Sequence, residues 1–234
     1  MAIALPAQNP FDQPGAKSQA TLLFQQATAQ PGDTVWAGLH MVIPSPWHIY
    51  WVNHGGIGEA PSLEWQLPAG VSAGKIHWPL PKKHLSFGSI AYVYEQEVLL
   101  MVPLVLSKDL EPGEFEIKAS AKWLECTDEE CVQGKQLVAA KLTVGREIIR
   151  GKDEVIFSKW RERLPGTLPA LDAEWAGPVA ENSWRPLAFR VPVKHQNLEV
   201  EFFPYLDPKD EFAMQADVKV EREKGYATLV QQVE

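Results

Sequence analysis

The sequence predicts a mainly β protein: an antiparallel β-sandwich, then a linking helix, then a second, smaller β-sandwich. Three observations lead there. About eight short apolar or alternating segments follow one another up to residue 148, with turn signals roughly every 8–15 residues. The 19 prolines are scattered through short apolar segments, which suits strands and turns and disfavours helix bundles. One stretch, Lys152–Leu164, spaces Val155, Ile156, Trp160 and Leu164 helically, with Lys159, Arg161, Glu162 and Arg163 on the other side.

The elements follow in order. Residues 1–18 are rich in Pro, Gln and Ala with little periodicity, and read as a loose leader. Ala20–Ala27 reads as a first strand, closed by the Gln30-Pro-Gly-Asp33 turn. Thr34–Ile43 alternates, with Val35, Ala37, Leu39, Met41 and Ile43 on one face. Pro44-Ser-Pro46 breaks it. Trp47–Val52 is an aromatic strand, and Asn53-His-Gly-Gly-Ile-Gly58 a flexible loop. Ser62–Gln66 and Val71–Trp78 are strands. Pro79 to Ser89 reads as a long irregular loop carrying one aromatic, Phe87. Val98–Leu106 is a strand whose Pro103 predicts an edge or a bulge. Glu114–Leu124 and Leu137–Val144 complete a sandwich of immunoglobulin-like type. Pro165-Gly166 stops the helix. After a proline-rich stretch, strands resume at Leu187–Val193, Leu198–Phe203, Ala213–Glu221 and Tyr226–Gln231. The expected organisation is therefore a leader over 1–18, a sandwich over 19–148 that carries both cysteines, a helix and linker over 149–178, and a small β-domain over 179–234. The last strand has no closing turn, which leaves that domain open to continuing past Glu234.

Composition excludes little. Hydrophobic content of 45% and charged content of 22% are ordinary for a globular chain. The formal net charge of −8 argues against a nucleic-acid binder, which would carry a basic patch or stripe. No apolar run reaches the ~18 residues of a membrane helix. Met1-Ala-Ile-Ala-Leu-Pro lacks the basic region and apolar run of a signal peptide, so the chain reads as cytosolic or as a mature fragment of something longer. No phosphate-binding loop, nucleophile elbow or Ser/His/Asp arrangement is recognisable.

The cysteines are the informative feature. The chain has two, Cys126 and Cys131, four residues apart. So short a loop brings two Cβ atoms within bonding distance if the chain turns between them. As a staple it is inefficient, worth roughly 2 kcal/mol by loop entropy, and a chain of this size has ample core without it. The pair therefore asks for reversible thiol–disulfide exchange, a metal, or a plain structural disulfide. Metal is the weakest reading, because Zn²⁺ takes four patterned ligands and His40, His48, His54, His77, His84 and His195 are scattered, none near the pair in sequence. A folded cluster of His48, His54 and the cysteines is the one arrangement that would suit copper.

Several segments together resemble a known family: Trp47-His-Ile-Tyr-Trp51 with its Gly-rich loop, Leu67-Pro-Ala-Gly70, Ile76-His-Trp-Pro79, Tyr92-Val-Tyr-Glu-Gln-Glu-Val-Leu-Leu100, Ala121-Lys-Trp-Leu-Glu-Cys126 and Glu201-Phe-Phe-Pro204. They are similar to the N-terminal periplasmic domain of DsbD-type transmembrane thiol:disulfide reductases, in particular the ScsB-like branch, over roughly residues 20–230. The resemblance implies a periplasmic domain, a soluble fragment of an inner-membrane protein, whose cysteine pair receives electrons from a thioredoxin-like domain by way of a membrane-embedded domain of the same protein. It would pass them to oxidised periplasmic thiol proteins. It implies Cys126 and Cys131 as the catalytic pair, with Cys131 forming mixed disulfides and Cys126 resolving them. By order along the chain, the family's cap loop falls on about His84–Ile90 with Phe87 at its tip, and a family tyrosine falls on Tyr50. No cofactor or metal is implied. The chain departs from the branch in having four residues between the cysteines, where three are usual, and Val132-Gln133 after the second.

The chemistry gives its own expectations. Exchange needs a thiolate with access to a disulfide sulfur. Glu125, Asp128, Glu129 and Glu130 crowd the pair in sequence and should raise the thiol pKa. This predicts a relay that is slow with arbitrary oxidants and fast with a docked partner, protected by an apolar lid such as Phe87. The alternative from another class is a secreted β-sandwich interaction module with a structural disulfide and no redox turnover.

Overall fold

A computed structural model of the chain describes residues 15–55, 58–86, 89–166, 171–180, 183–193, 200–205, 214–223 and 225–233. The strands are β1 Gln19–Phe24, β2 Gln26–Ala29, β3 Thr34–Ile43, β4 His48–Tyr50, β5 Ser62–Gln66, β6 Val71–Ala73, β7 Lys82–Ser86, β8 Ser89–Tyr94, β9 Gln96–Leu106, β10 Gly113–Cys126, β11 Cys131–Val144 and β12 Ile149–Arg150. Helix α1 spans Glu154–Arg161, followed by β13 Asp172–Trp175, β14 Arg185–Pro192, β15 Met214–Glu223 and β16 Tyr226–Val233.

Two sheets face each other. One runs β1-β3-β9-β6, the other β12-β2-β11-β10-β4-β8-β7, with β5 paired to β10. Pairing is antiparallel except for the short parallel contact of β2 with β11. This is the mainly β, immunoglobulin-like sandwich that the alternation predicts. Val35, Ala37, Leu39, Met41 and Ile43, the face of β3 read as inward, are all buried in the core. Ile117, Ala119, Ala121 and Trp123 supply the facing surface of β10. β14, β16 and β15 form a third sheet with β13 at its edge.

The structure corrects several element boundaries. Ala20–Ala27 is not one strand. Gln25 interrupts it, and its N–H donates to the Trp36 carbonyl at 3.0 Å. Beyond it the chain changes sheets, β1 pairing with β3 and β2 with β11, the corner by which sandwich strands switch layers. Pro103 lies neither at an edge nor at a bulge, because β9 is held between β3 and β6. It is tolerated where β6 runs out, with its carbonyl accepting from Gly74 N–H at 2.8 Å. Val71–Trp78 is a strand only to Ala73, with His77 bridging to Met101. The stretch read as an irregular loop before Ser89 holds β7, which pairs with β8 as a hairpin. The proline-rich linker contains β13. Residues 200–205 carry no strand, and 198–199 lie outside the described residues.

Helix α1 covers the outer surface of the first sheet. Phe157 and Trp160 are buried there. A Cβ on Gly38 would lie 2.9 Å from Phe157 Cζ and 2.6 Å from Leu99 Cδ1, so the absent side chain is the seat of the helix. That cover explains why Val98 to Val102 of β9 are all buried, both faces included. Among the described residues no helix is long and apolar enough to cross a membrane.

Candidate redox site

The site is built by one long hairpin. β10 and β11 pair without a break from Gly113↔Val144 to Cys126↔Cys131, so the cysteines are its last facing pair. They are joined as a disulfide, with Sγ–Sγ 2.05 Å and Cα–Cα 4.1 Å. The tip closes on itself: Thr127 N–H donates to the Glu130 carbonyl at 2.8 Å. Thr127 Oγ1 accepts from Glu129 N–H at 3.1 Å and Glu130 N–H at 3.2 Å. Cys126 is fully buried, whereas Cys131 is exposed.

Strand alternation decides what surrounds the disulfide. Odd positions of β10 point into the sandwich core and even positions point outward. Cys126 therefore shares the outer face with Leu124, and Glu125 does not. Glu125 is turned inward and fully buried. It accepts from Lys17 N–H, from Ser18 N–H at 2.9 Å and from Trp123 Nε1–H at 3.1 Å. The acidic crowding expected from sequence is thus reduced by one residue, because i and i+1 of a strand face opposite ways. Asp128 is engaged with His84 (3.2 Å).

β4 runs beside Cys126, with Glu125↔Ile49 and Cys126↔His48 in register. β8 follows on its other side, with Tyr50↔Val93 and Ile49↔Tyr94. The outer face so formed holds Tyr50, Ala91, Val93 and Cys126 as one buried apolar cluster, with Leu124 against it. Tyr50 is fully buried, and its hydroxyl has no hydrogen-bond partner. Burial pushes its pKa up, so it stays a neutral phenol. Gly58 lies flat on its ring, where a Cβ would come within 2.5 Å of Tyr50 Cδ1.

A polar group borders this cluster. His48 is 1% exposed, and its Nε2 has no partner. Its ring stands 5.4 Å from Tyr50, edge-on, and 4.5 Å from His84. Burial, and then the neighbouring His84, lower the His48 pKa against the opposing pull of Asp128 and Glu95. His84 places Nε2 3.2 Å from Asp128 Oδ1 and Nδ1 3.5 Å from Glu95 Oε1. Lys82 Nζ closes on Glu95 Oε2 at 2.9 Å. The hydrogen bond from Lys82 is the main cause that holds the Glu95 carboxyl below its ordinary range.

These observations, a β-sandwich with a disulfide closing a hairpin against an aromatic outer face, coincide with a family match. Residues 18–142 match the family "Thiol:disulfide interchange protein DsbD, N-terminal". The chain belongs to this DsbD N-terminal family. Among solved structures, the N-terminal periplasmic domain of ScsB from Proteus mirabilis aligns with 99% of this chain and 83% of its own, at 18% identity and a TM-score of 0.56. That likeness is one of fold. A cohesin–dockerin complex from Clostridium thermocellum aligns with 54% of this chain and 99% of its own at 12% identity, and its TM-score of 0.27 supports no assignment. No curated protein sequence matches significantly.

Within this DsbD-family frame the sequence-derived residues are placed as follows. Cys126, Cys131, Tyr50 and His84 come together around the disulfide. Phe87 lies outside the described residues; the flanking pair Ser86↔Ser89 is the last of the β7–β8 hairpin. Sequence reasoning named His48 only in a copper-binding cluster with His54 and the cysteines, not as the partner of Cys126, and missed Glu95. The signal for His48 was present: in Trp47-His-Ile-Tyr50 the period of two puts His48 on the face of Tyr50. Glu95 needed the β4–β8 register, which no local pattern carries. His54 meets Tyr50 edge-on at 6.4 Å and joins no metal cluster, and among the described residues no group of three His, Cys, Asp or Glu is arranged to hold a metal. An apolar cavity of 490 Å³, lined by Trp51, Trp78, Leu164, Phe203 and Tyr205 among others, lies away from these groups.

Proposed function

We propose that the chain is a periplasmic electron-relay domain, a protein-disulfide reductase acting through Cys126 and Cys131. A thioredoxin-like donor, connected by a membrane-embedded domain of the same full-length protein, reduces the pair. The pair then reduces oxidised periplasmic thiol proteins. The observation that carries this reading is the asymmetry of the pair: Cys131 exposed, Cys126 fully buried. Family membership and the periplasmic origin of the ScsB relative support it.

The chemistry follows from exposure. A donor thiolate attacks Cys131 Sγ and the Cys126–Cys131 bond breaks, leaving Cys126 with the electron pair. A second donor thiol then attacks the mixed disulfide, releasing Cys131 as thiolate and leaving the donor oxidised. In the forward step Cys131 thiolate attacks a client disulfide, and Cys126 attacks Cys131 Sγ to release the client as a dithiol. Two electrons enter and two leave. Tyr50 walls the buried side of the pair, and the lid that the family resemblance implies is assigned to Phe87.

Single-cysteine variants test this. Cys126→Ser leaves the exposed sulfur and should accumulate mixed disulfides with a thioredoxin whose resolving cysteine is absent. Cys131→Ser leaves the buried sulfur and should trap little. Equal trapping by both, or by neither, contradicts the assignment and favours a structural disulfide.

A further inference from the structure

We propose that His48 is the general base and acid for Cys126, taking the thiol proton as Cys126 attacks and returning it as Cys126 leaves. The assignment rests on the relay reading above and adds to it the residue that handles the proton.

Three observations carry it. First, His48 is the cross-strand partner of Cys126. Directly opposed residues on neighbouring strands point to the same face with Cβ atoms about 4.5–5.5 Å apart, a spacing an imidazole spans. Second, Cys126 sits among Tyr50, Ala91, Val93 and Leu124. Cys126 is fully buried, and burial among apolar groups disfavours an expelled thiolate. The departing sulfur needs a proton as it leaves. Third, the buried Nε2 of His48 has no partner in the disulfide form. An unpaired buried nitrogen is costly, and a disulfide sulfur carries no hydrogen to offer it. Reduction creates a Cys126 S–H donor, the missing partner, at the adjoining position.

The surrounding groups fit the role. Tyr50, on the same strand, is a neutral buried phenol and cannot accept the proton. From β7, His84 lies against the His48 ring, and both its nitrogens face carboxylates, Asp128 from the hairpin tip and Glu95 beyond β8. Lys82 is held by Glu95, and His54 meets only the far side of Tyr50. The lowered pKa of His48, caused first by burial, keeps the ring neutral and basic near neutral pH.

The balance is closed. In the resolving step Cys126 S–H gives its proton to Nε2 and its electron pair to Cys131 Sγ; the Cys131–client bond breaks and the client sulfur departs as thiolate. In the loading step the donor sulfur bonds Cys131, the Cys126–Cys131 bond breaks, and His48, as the imidazolium formed by the proton it took at Nε2 in the resolving step, returns that proton to Cys126.

The test is the reaction of the reduced protein with an aromatic disulfide, 5,5′-dithiobis(2-nitrobenzoate). A first thionitrobenzoate is released in proportion to reagent, by attack of Cys131. A second is released independently of reagent, by attack of Cys126. In the wild type the second rate should rise with pH and level off in the imidazole range, about pH 5–7. In His48→Phe and in His48→Gln the first phase should be unchanged. The second should fall on the order of a hundredfold at neutral pH and rise without a plateau toward the thiol range near ~8.5. A purely structural role would be rescued by glutamine, so a glutamine variant with the wild-type rate and plateau overturns the proposal. If the variants do not fold, the wild-type profile decides alone, and a rise through the thiol range with no earlier plateau overturns it. The two readings fail separately. A wild-type pair that thioredoxin cannot reduce ends the relay reading, while a reducible pair whose second phase ignores His48 ends this one.

Discussion

Glu125 and Cys126 are adjacent in sequence and opposite in consequence. Cys126 closes the outer cluster, while Glu125 turns inward and gathers two backbone N–H groups of 17–18 and the Trp123 indole on one buried carboxylate. That residue anchors the start of β1 beside the cysteines. Glu125→Ala should leave those donors unpaired and lower stability by on the order of 3 kcal/mol, read as a lower urea midpoint with an unchanged slope; an unchanged midpoint would remove the anchoring role. The lid proposal is also a residue-scale matter. Phe87→Ala should speed oxidation of the reduced pair by glutathione disulfide, and an equal rate would take Phe87 out of that role. The two cysteines and Tyr50 were legible in the sequence from spacing and resemblance. The direction of Glu125 was not used, although alternation along Ala121, Trp123 and Glu125 implies it, because charge alone was counted. The place of His48 opposite Cys126 required the register of a third strand.

At the scale of elements, the β10–β11 hairpin does most to position the site. Its fourteen-residue strands hold the cysteines at one end in a fixed facing pair. Trp123 lies across Gly134, its register partner, where a Cβ would come within 2.1 Å of the indole, so this glycine is a packing requirement three pairs short of the disulfide-bearing pair Cys126↔Cys131. Helix α1 is a second anchor. Phe157→Ala should empty the seat over Gly38 and cost about 3–5 kcal/mol, visible as a lower thermal midpoint. The reactivity of Cys131 should stay unchanged, since the helix covers the other sheet; a change in Cys131 reactivity would contradict the separation. β3 and β5 were readable to the residue because their alternation is clean and their ends are marked by turns. The β1–β2 corner was not, since Gln25 carries no proline or glycine to mark the change of sheet. The β7–β8 hairpin was hidden by Pro79, Pro81 and Gly88, whose punctuation imitates an irregular loop.

For the whole molecule, fold class and family were legible before the structure, because both rest on features spread over many segments: the count of short strands, the turn spacing, and motifs from Trp47 to Cys126. The arrangement of the site was less so, because it depends on which strands are neighbours. β4 lies 75 residues or more before Cys126 in sequence and beside it in space. The central claim is that Cys126–Cys131 is a working dithiol of a DsbD-family relay. Its most direct test is the redox equilibrium of the intact chain against reduced thioredoxin, read by thiol trapping and mass with the fold followed in parallel. The account predicts complete, rapid reduction with the fold intact. A pair that stays oxidised, or that opens only as the protein unfolds, would contradict it and leave the disulfide a structural staple.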